Sequence, residues 1–158
     1  MSENENTALG KGDAVGNAEG RTDQGTPIAL TDLQGRTLAV FLTGPNLGRT
    51  GSTLAKGIQN RIDDFLALSC SPLLVCGESI ETLSNYRDME NLPFLLISDS
   101  QMHVHEMLAG CIRDDASGAW IVDETGVIHA VISPMPPREQ ISTVLMALSR
   151  ISGPFQEA

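Results

Sequence analysis

Apolar residues fall along this chain in two rhythms, and the switch between them marks out its elements. Unbroken apolar runs of strand length occur at 37–42 (TLAVFL), 72–76 (PLLVC) and 93–97 (PFLLI). Such runs suit strands buried on both faces, as in parallel sheets. A spacing of three and four marks helices instead. Leu54, Ile58, Ile62, Phe65 and Leu66 give an apolar face over 54–68, with Ser52 or Thr53 placed to cap it. Ile141, Val144, Leu145, Leu148 and Ile151 give another over 138–151. A third helix starts near Ser79, its inward face continued by Leu83, Tyr86 and Met89. Ser98-Asp99 predicts the cap of a short helix reaching 108. Apolar runs at 119–123 and 127–132 flank Glu124-Thr125-Gly126 and predict a hairpin. A short strand at 28–31 and a turn at 32–35 precede the first long run.

This order alternates β and α and ends in an antiparallel hairpin and a helix. It predicts one α/β domain, a central mixed sheet flanked by helices on both faces. Residues 1–25 carry almost no large apolar side chain. They predict a disordered N-terminal tail, because they bury too little surface to offset chain entropy. The domain is then expected over 26–152, with a short tail over 153–158.

Composition narrows the partners. The chain has 158 residues, 41% of them hydrophobic but only 4% aromatic, so aliphatic residues must fill the core. Twenty acids against ten bases give a formal charge of −10. That field repels phosphate backbones and anionic lipid heads, which argues against nucleic acid and membrane surfaces. A protein partner or larger complex fits better. No apolar run approaches the roughly 18–20 residues that span a bilayer. The N-terminus also lacks the charged and apolar regions of a signal peptide. The expectation is a cytoplasmic protein without membrane insertion.

The candidate chemistry is sparse. Three cysteines, Cys70, Cys76 and Cys111, form neither a C-x-x-C pair nor an even set for a disulfide framework. Cys76 ends an apolar strand and reads as structural. Cys70, at a helix-to-strand turn, and Cys111, two residues before Arg113, are the candidate reactive thiols. His103 and His105 sit two apart in an expected helix, where they do not share a face. His129, Asp114 and Asp115 read as solvated side chains, and no metal or other cofactor is expected. Residues 43–51 are dense in turn formers. Their glycines lack the Lys-Ser/Thr ending of a phosphate loop. A helix following Arg49, Thr50 and Ser52 still offers an anion site.

Three strings carry a family resemblance. Leu30-Thr31-Asp32-Leu33-Gln34-Gly35-Arg36 with the next strand resembles the opening of a peroxiredoxin. Asn91-Leu92-Pro93-Phe94-Leu95-Leu96-Ile97-Ser98-Asp99 is similar to that family's "LPF-x-LLSD" segment. Trp120-Ile121-Val122-Asp123-Glu124-Thr125-Gly126-Val127-Ile128 is similar to its "F-x-ID-x-x-G-x-I" hairpin. In this order, over about 26–150, they resemble the alkyl hydroperoxide reductase and thiol-specific antioxidant superfamily. The resemblance implies a thioredoxin-like fold and a thiol peroxidase site, with pairing of two copies near that site. The site motif is Pro, three residues, Thr or Ser, two residues, Cys. Pro45 matches the proline, but counting onward puts Arg49 at the Thr position and Ser52 at the Cys position, and a register shifted by two residues puts Thr50 there instead; the first cysteine of the chain is Cys70. The family's second arginine has no counterpart, since 116–119 reads Ala-Ser-Gly-Ala. A serine hydroxyl stays protonated at neutral pH and does not cycle through a sulfenic acid. Three readings follow: a non-catalytic domain serving as a binding or assembly subunit, with a homodimer as one form; a thiol enzyme relocated to Cys111 or Cys70; or an anion-responsive sensor built on the Arg49 loop.

Overall fold

A computed structural model describes residues 11–15, 19–33, 35–44, 46–101, 104 and 117–157. Seven strands form one sheet: β1 (Glu19–Thr22), β2 (Pro27–Ala29), β3 (Thr37–Leu42), β4 (Cys70–Cys76), β5 (Leu95–Ser98), β6 (Ser117–Val122) and β7 (Ile128–Met135). Their order across the sheet is β2-β1-β5-β4-β3-β6-β7. The continuous apolar runs supply the middle. β3, β4 and β5 are parallel to one another, and β6 runs antiparallel to β3. Helices α1 (Gly48–Asn60), α2 (Ile62–Ala67), α3 (Ile80–Glu90) and α4 (Pro137–Glu157) complete the described elements, with a 3-10 turn at Leu30–Leu33.

The alternation of side chains along the strands divides the interior in two. Ala39, Phe41, Leu74, Leu96 and Ile121 face Leu54 and Ile58 of α1, Leu83 of α3 and Val144 and Leu148 of α4. Phe41 and Phe65 meet edge to face there, with ring centroids 6.1 Å apart. Val40, Leu42, Leu73, Val75, Ile97 and Trp120 form the opposite cluster with Val15, Leu30 and Val104.

Several boundaries differ from the sequence reading. Order does not begin at Thr26. Val15 is fully buried, Ala14 bridges Val127, and β1 pairs with both β2 and β5. Main-chain pairing, which composition does not register, holds this segment. Residues 28–31 do not form one strand, because β2 ends at Ala29 and the chain turns into the 3-10 helix. There the Asp32 carboxylate accepts the Ala29 amide at 2.9 Å. The helix expected over 54–68 is two helices, interrupted at Arg61. Leu66 and Met89, assigned to inward faces, are 58% and 74% exposed. The hairpin forms as expected, and α4 continues past 151 to Glu157. The helix expected to reach 108 falls mainly outside the described residues. Within the described residues, Asp99 Oδ1 accepts the Val104 amide at 3.1 Å.

Candidate functional site

The site candidates gather where β3 and β4 end. Thr43 extends the ladder by donating its amide to Val75 O at 3.1 Å, and Gly77 N reaches Gly44 O at 3.3 Å. The chain then enters α1 at Gly48, whose φ of +55° suits glycine. Arg49, Thr50 and Ser52 therefore stand in the first turns of a helix, not in a loop before one. The N-cap residue of α1 is Leu47, which has no side-chain cap bond, so neither Ser52 nor Thr53 occupies the cap position. The carboxylate of Glu78, just beyond β4, accepts the Leu47 amide at 3.2 Å. It supplies the negative charge that a helix N-terminus favours.

Arg49 and Ser52 are three apart and share one side of α1. Arg49 is exposed and Ser52 is half-buried. The Ser52 hydroxyl accepts the Tyr86 hydroxyl of α3 at 3.1 Å. Sequence reasoning took Tyr86 only as part of an apolar face. Its polar end is fixed by a residue 34 positions away, which periodicity does not reveal.

Beneath α1 runs a feature that the sequence did not suggest. Cys76 of β4 pairs in register with Ser98 of β5. Thr43 and Ser117 extend the row across β3 and β6, one step beyond the Val75–Leu42 and Leu42–Gly118 pairs. All four are buried. Ser98 Oγ donates to Glu78 O at 2.5 Å, and Cys76 Sγ donates to Gly44 O at 3.8 Å. The Thr43 hydroxyl also lies against the Cys76 thiol. Among the described residues, Ser117 Oγ meets no partner.

The described thiols are poor nucleophiles. Burial pushes the Cys70 thiol up to about 12, outweighing a hydrogen bond from Ala39 and the nearby Arg36 charge. Cys70 is only 1% exposed, which corrects its placement at an accessible turn. Burial also raises the Cys76 thiol, opposed by its contact with Thr43. Thiolate, the reactive form, is scarce at both near neutral pH. Pro45, Cys111, His103, His105, Arg113, Asp114 and Asp115 lie outside the described residues. His129 is exposed on β7. Among the described residues, no three His, Cys, Asp or Glu side chains gather as a metal site. None of the described helices is long and apolar enough to cross a membrane.

A parallel β3–β5 centre, an antiparallel β6–β7 hairpin and a helix rising from the end of β3 define a thioredoxin-like α/β protein of peroxiredoxin type. The chain belongs to the AhpC/TSA family, whose model matches residues 11–131. Among solved structures, it is similar to the peroxidoxin BcpB of Mycobacterium tuberculosis, at 18% identity and a TM-score of 0.78. That match covers 90% of this chain and 98% of the other. The bacterioferritin comigratory protein of Xanthomonas campestris matches at 15% identity and a TM-score of 0.69, over 85% and 91% of the two chains. The mitochondrial 2-cys peroxiredoxin of Plasmodium falciparum matches at 17% identity and a TM-score of 0.70, over 90% and 93%. No curated protein sequence matches this chain.

Proposed function

We propose that this chain keeps the peroxiredoxin frame while its thiol position has become a hydroxyl, and that it serves as a cytoplasmic binding or assembly subunit. The observation that carries this reading is the hydroxyl of Ser52, at the family's cysteine position, held by Tyr86 at 3.1 Å. A hydroxyl in that place hydrogen-bonds a ligand or partner but does not store an oxidising equivalent. The exposed Arg49, with Thr50 and Ser52 beside it, would form the contact surface. A second copy of the chain is one partner of suitable shape by analogy with the family.

Family membership itself favours a second reading, thiol-dependent peroxide reduction. Under it the working thiol is Cys111, because burial disfavours the thiolate of Cys70 and Cys76. One experiment separates the two. The reduced protein and Cys111→Ser are given hydrogen peroxide, and peroxide loss and intact mass are followed. No turnover and no oxygen addition at low dose support the binding subunit. Turnover by the parent chain that is lost in Cys111→Ser replaces it with the relocated enzyme.

A further inference from the structure

The opposite end of the sheet, where β3, β4 and β5 begin, holds an apolar cavity of about 410 Å³. It lies away from the residues that end β3 and open α1. Leu38, Leu73 and Phe94 form buried walls, while Leu66 of α2 stands at its margin, 58% exposed. Of its eleven lining residues, Arg36 alone is charged. Lys56, Arg61 and Arg87 each hold a carboxylate. Among the described residues no carboxylate pairs with the exposed Arg36. Arg49, Arg138 and Arg150 likewise stand without a carboxylate among the described residues, but Arg36 is the base placed at the edge of this apolar hollow.

Ligand sites of a few hundred Å³ combine mostly apolar walls with a few polar groups that fix orientation. We infer that this cavity binds a small amphipathic carboxylate, with its hydrocarbon body against Leu38, Leu73 and Phe94 and its head on Arg36. The guanidinium offers two parallel donors to such a head. The adjoining polar cavity shares Arg36 and Leu66 and contains Glu124.

Titration of the full chain with octanoate tests the assignment, with octylammonium and octanol as probes of opposite and zero charge. The expected result is saturable octanoate binding that shifts the Leu38 and Leu73 methyl resonances. Arg36→Gln, at an exposed position, weakens octanoate at least tenfold and leaves octanol unchanged. Leu66→Ser weakens both. The assignment is overturned by absence of saturable octanoate binding, by equal binding of octylammonium, by indifference to Arg36→Gln, or by methyl shifts confined to α1.

Discussion

Tyr86 donates its phenolic hydrogen to Ser52, tying α3 to the opening turns of α1 at 3.1 Å. The same hydroxyl lies 3.4 Å from the Ser52 carbonyl. Tyr86→Phe removes this donor and keeps the ring. We expect a loss of about 1 kcal/mol, the usual net worth of such a bond. Urea unfolding should show a lower midpoint with an unchanged slope. An unchanged midpoint would mean that the hydroxyl contributes nothing to docking α1.

Arg87 organises a second long-range junction. Its Nε holds Asp23 at 2.6 Å, and its two terminal nitrogens donate to Leu92 O at 2.9 Å and Phe94 O at 2.6 Å. Asp23 is 5% exposed and Arg87 24%. Removing one member of a buried pair strands the other. Asp23→Ala is expected to cost about 3 kcal/mol. The double variant Asp23→Ala with Arg87→Met should lose less than the two singles combined, read from unfolding midpoints.

The thiols set an alkaline limit. The folded Cys70 thiol titrates near 12, above its ordinary value of 9.0. Between those values the unfolded chain has lost a proton that the folded chain keeps, so stability falls as pH rises. At neutral pH both states are protonated and the contribution is intact. Unfolding curves from pH 8 to 11 should show this decline, with a smaller slope in Cys70→Ala. At pH 8 the native chain should take up iodoacetamide at neither Cys70 nor Cys76, as read by peptide mass.

Glycine substitutions distinguish rigid from yielding neighbours. A methyl at Gly20 would stand 2.7 Å from Ile97 Cγ2 and 2.9 Å from the Ser98 carbonyl oxygen, and the latter is main chain. Gly20→Ala should cost about 1–3 kcal/mol by overpacking. A methyl at Gly57 meets chiefly Ile141 Cδ1, the movable end of a side chain. Gly57→Ala should therefore cost less than Gly20→Ala, and thermal unfolding ranks them.

Asp123 shapes the β6–β7 turn by accepting from the Thr125 hydroxyl at 2.7 Å, the Thr125 amide at 2.9 Å and the Val127 amide at 3.1 Å. The Thr125 hydroxyl is the main cause that holds this carboxyl below its ordinary value. A depressed carboxylate stabilises above the unfolded value and loses that effect as pH falls through the folded one. Asp123→Asn should lower the Tm at pH 7 and leave a smaller difference at pH 3.

The sequence was most readable where burial repeats. The TLAVFL run became β3, and the spacing of Ile141, Val144 and Leu148 became the inner face of α4. It was least readable where glycine obscures a helix. Gly48-Arg49-Thr50-Gly51 opens α1 although two of its four residues are poor helix formers. Tertiary packing of Leu54 and Ile58 carries that turn. In the site, the register from Pro45 to Ser52 could be counted along the chain. The Glu78–Leu47 bond and the row from Ser98 to Ser117 required knowledge of which strands are neighbours. The cavity beside Arg36 was hidden for the same reason, because its walls come from distant segments.

The placement of β1 between β2 and β5 has a consequence for trimming the chain. A cut before Thr26 follows the composition, yet it removes an interior strand and detaches β2 from the sheet. The main-chain groups of Arg21 and Thr22 no longer cover Ser98 and Ile97, and β5 becomes an open edge. Unprotected edges recruit strands from other molecules. The polar segment that looks dispensable is thus this protein's guard against edge-to-edge aggregation.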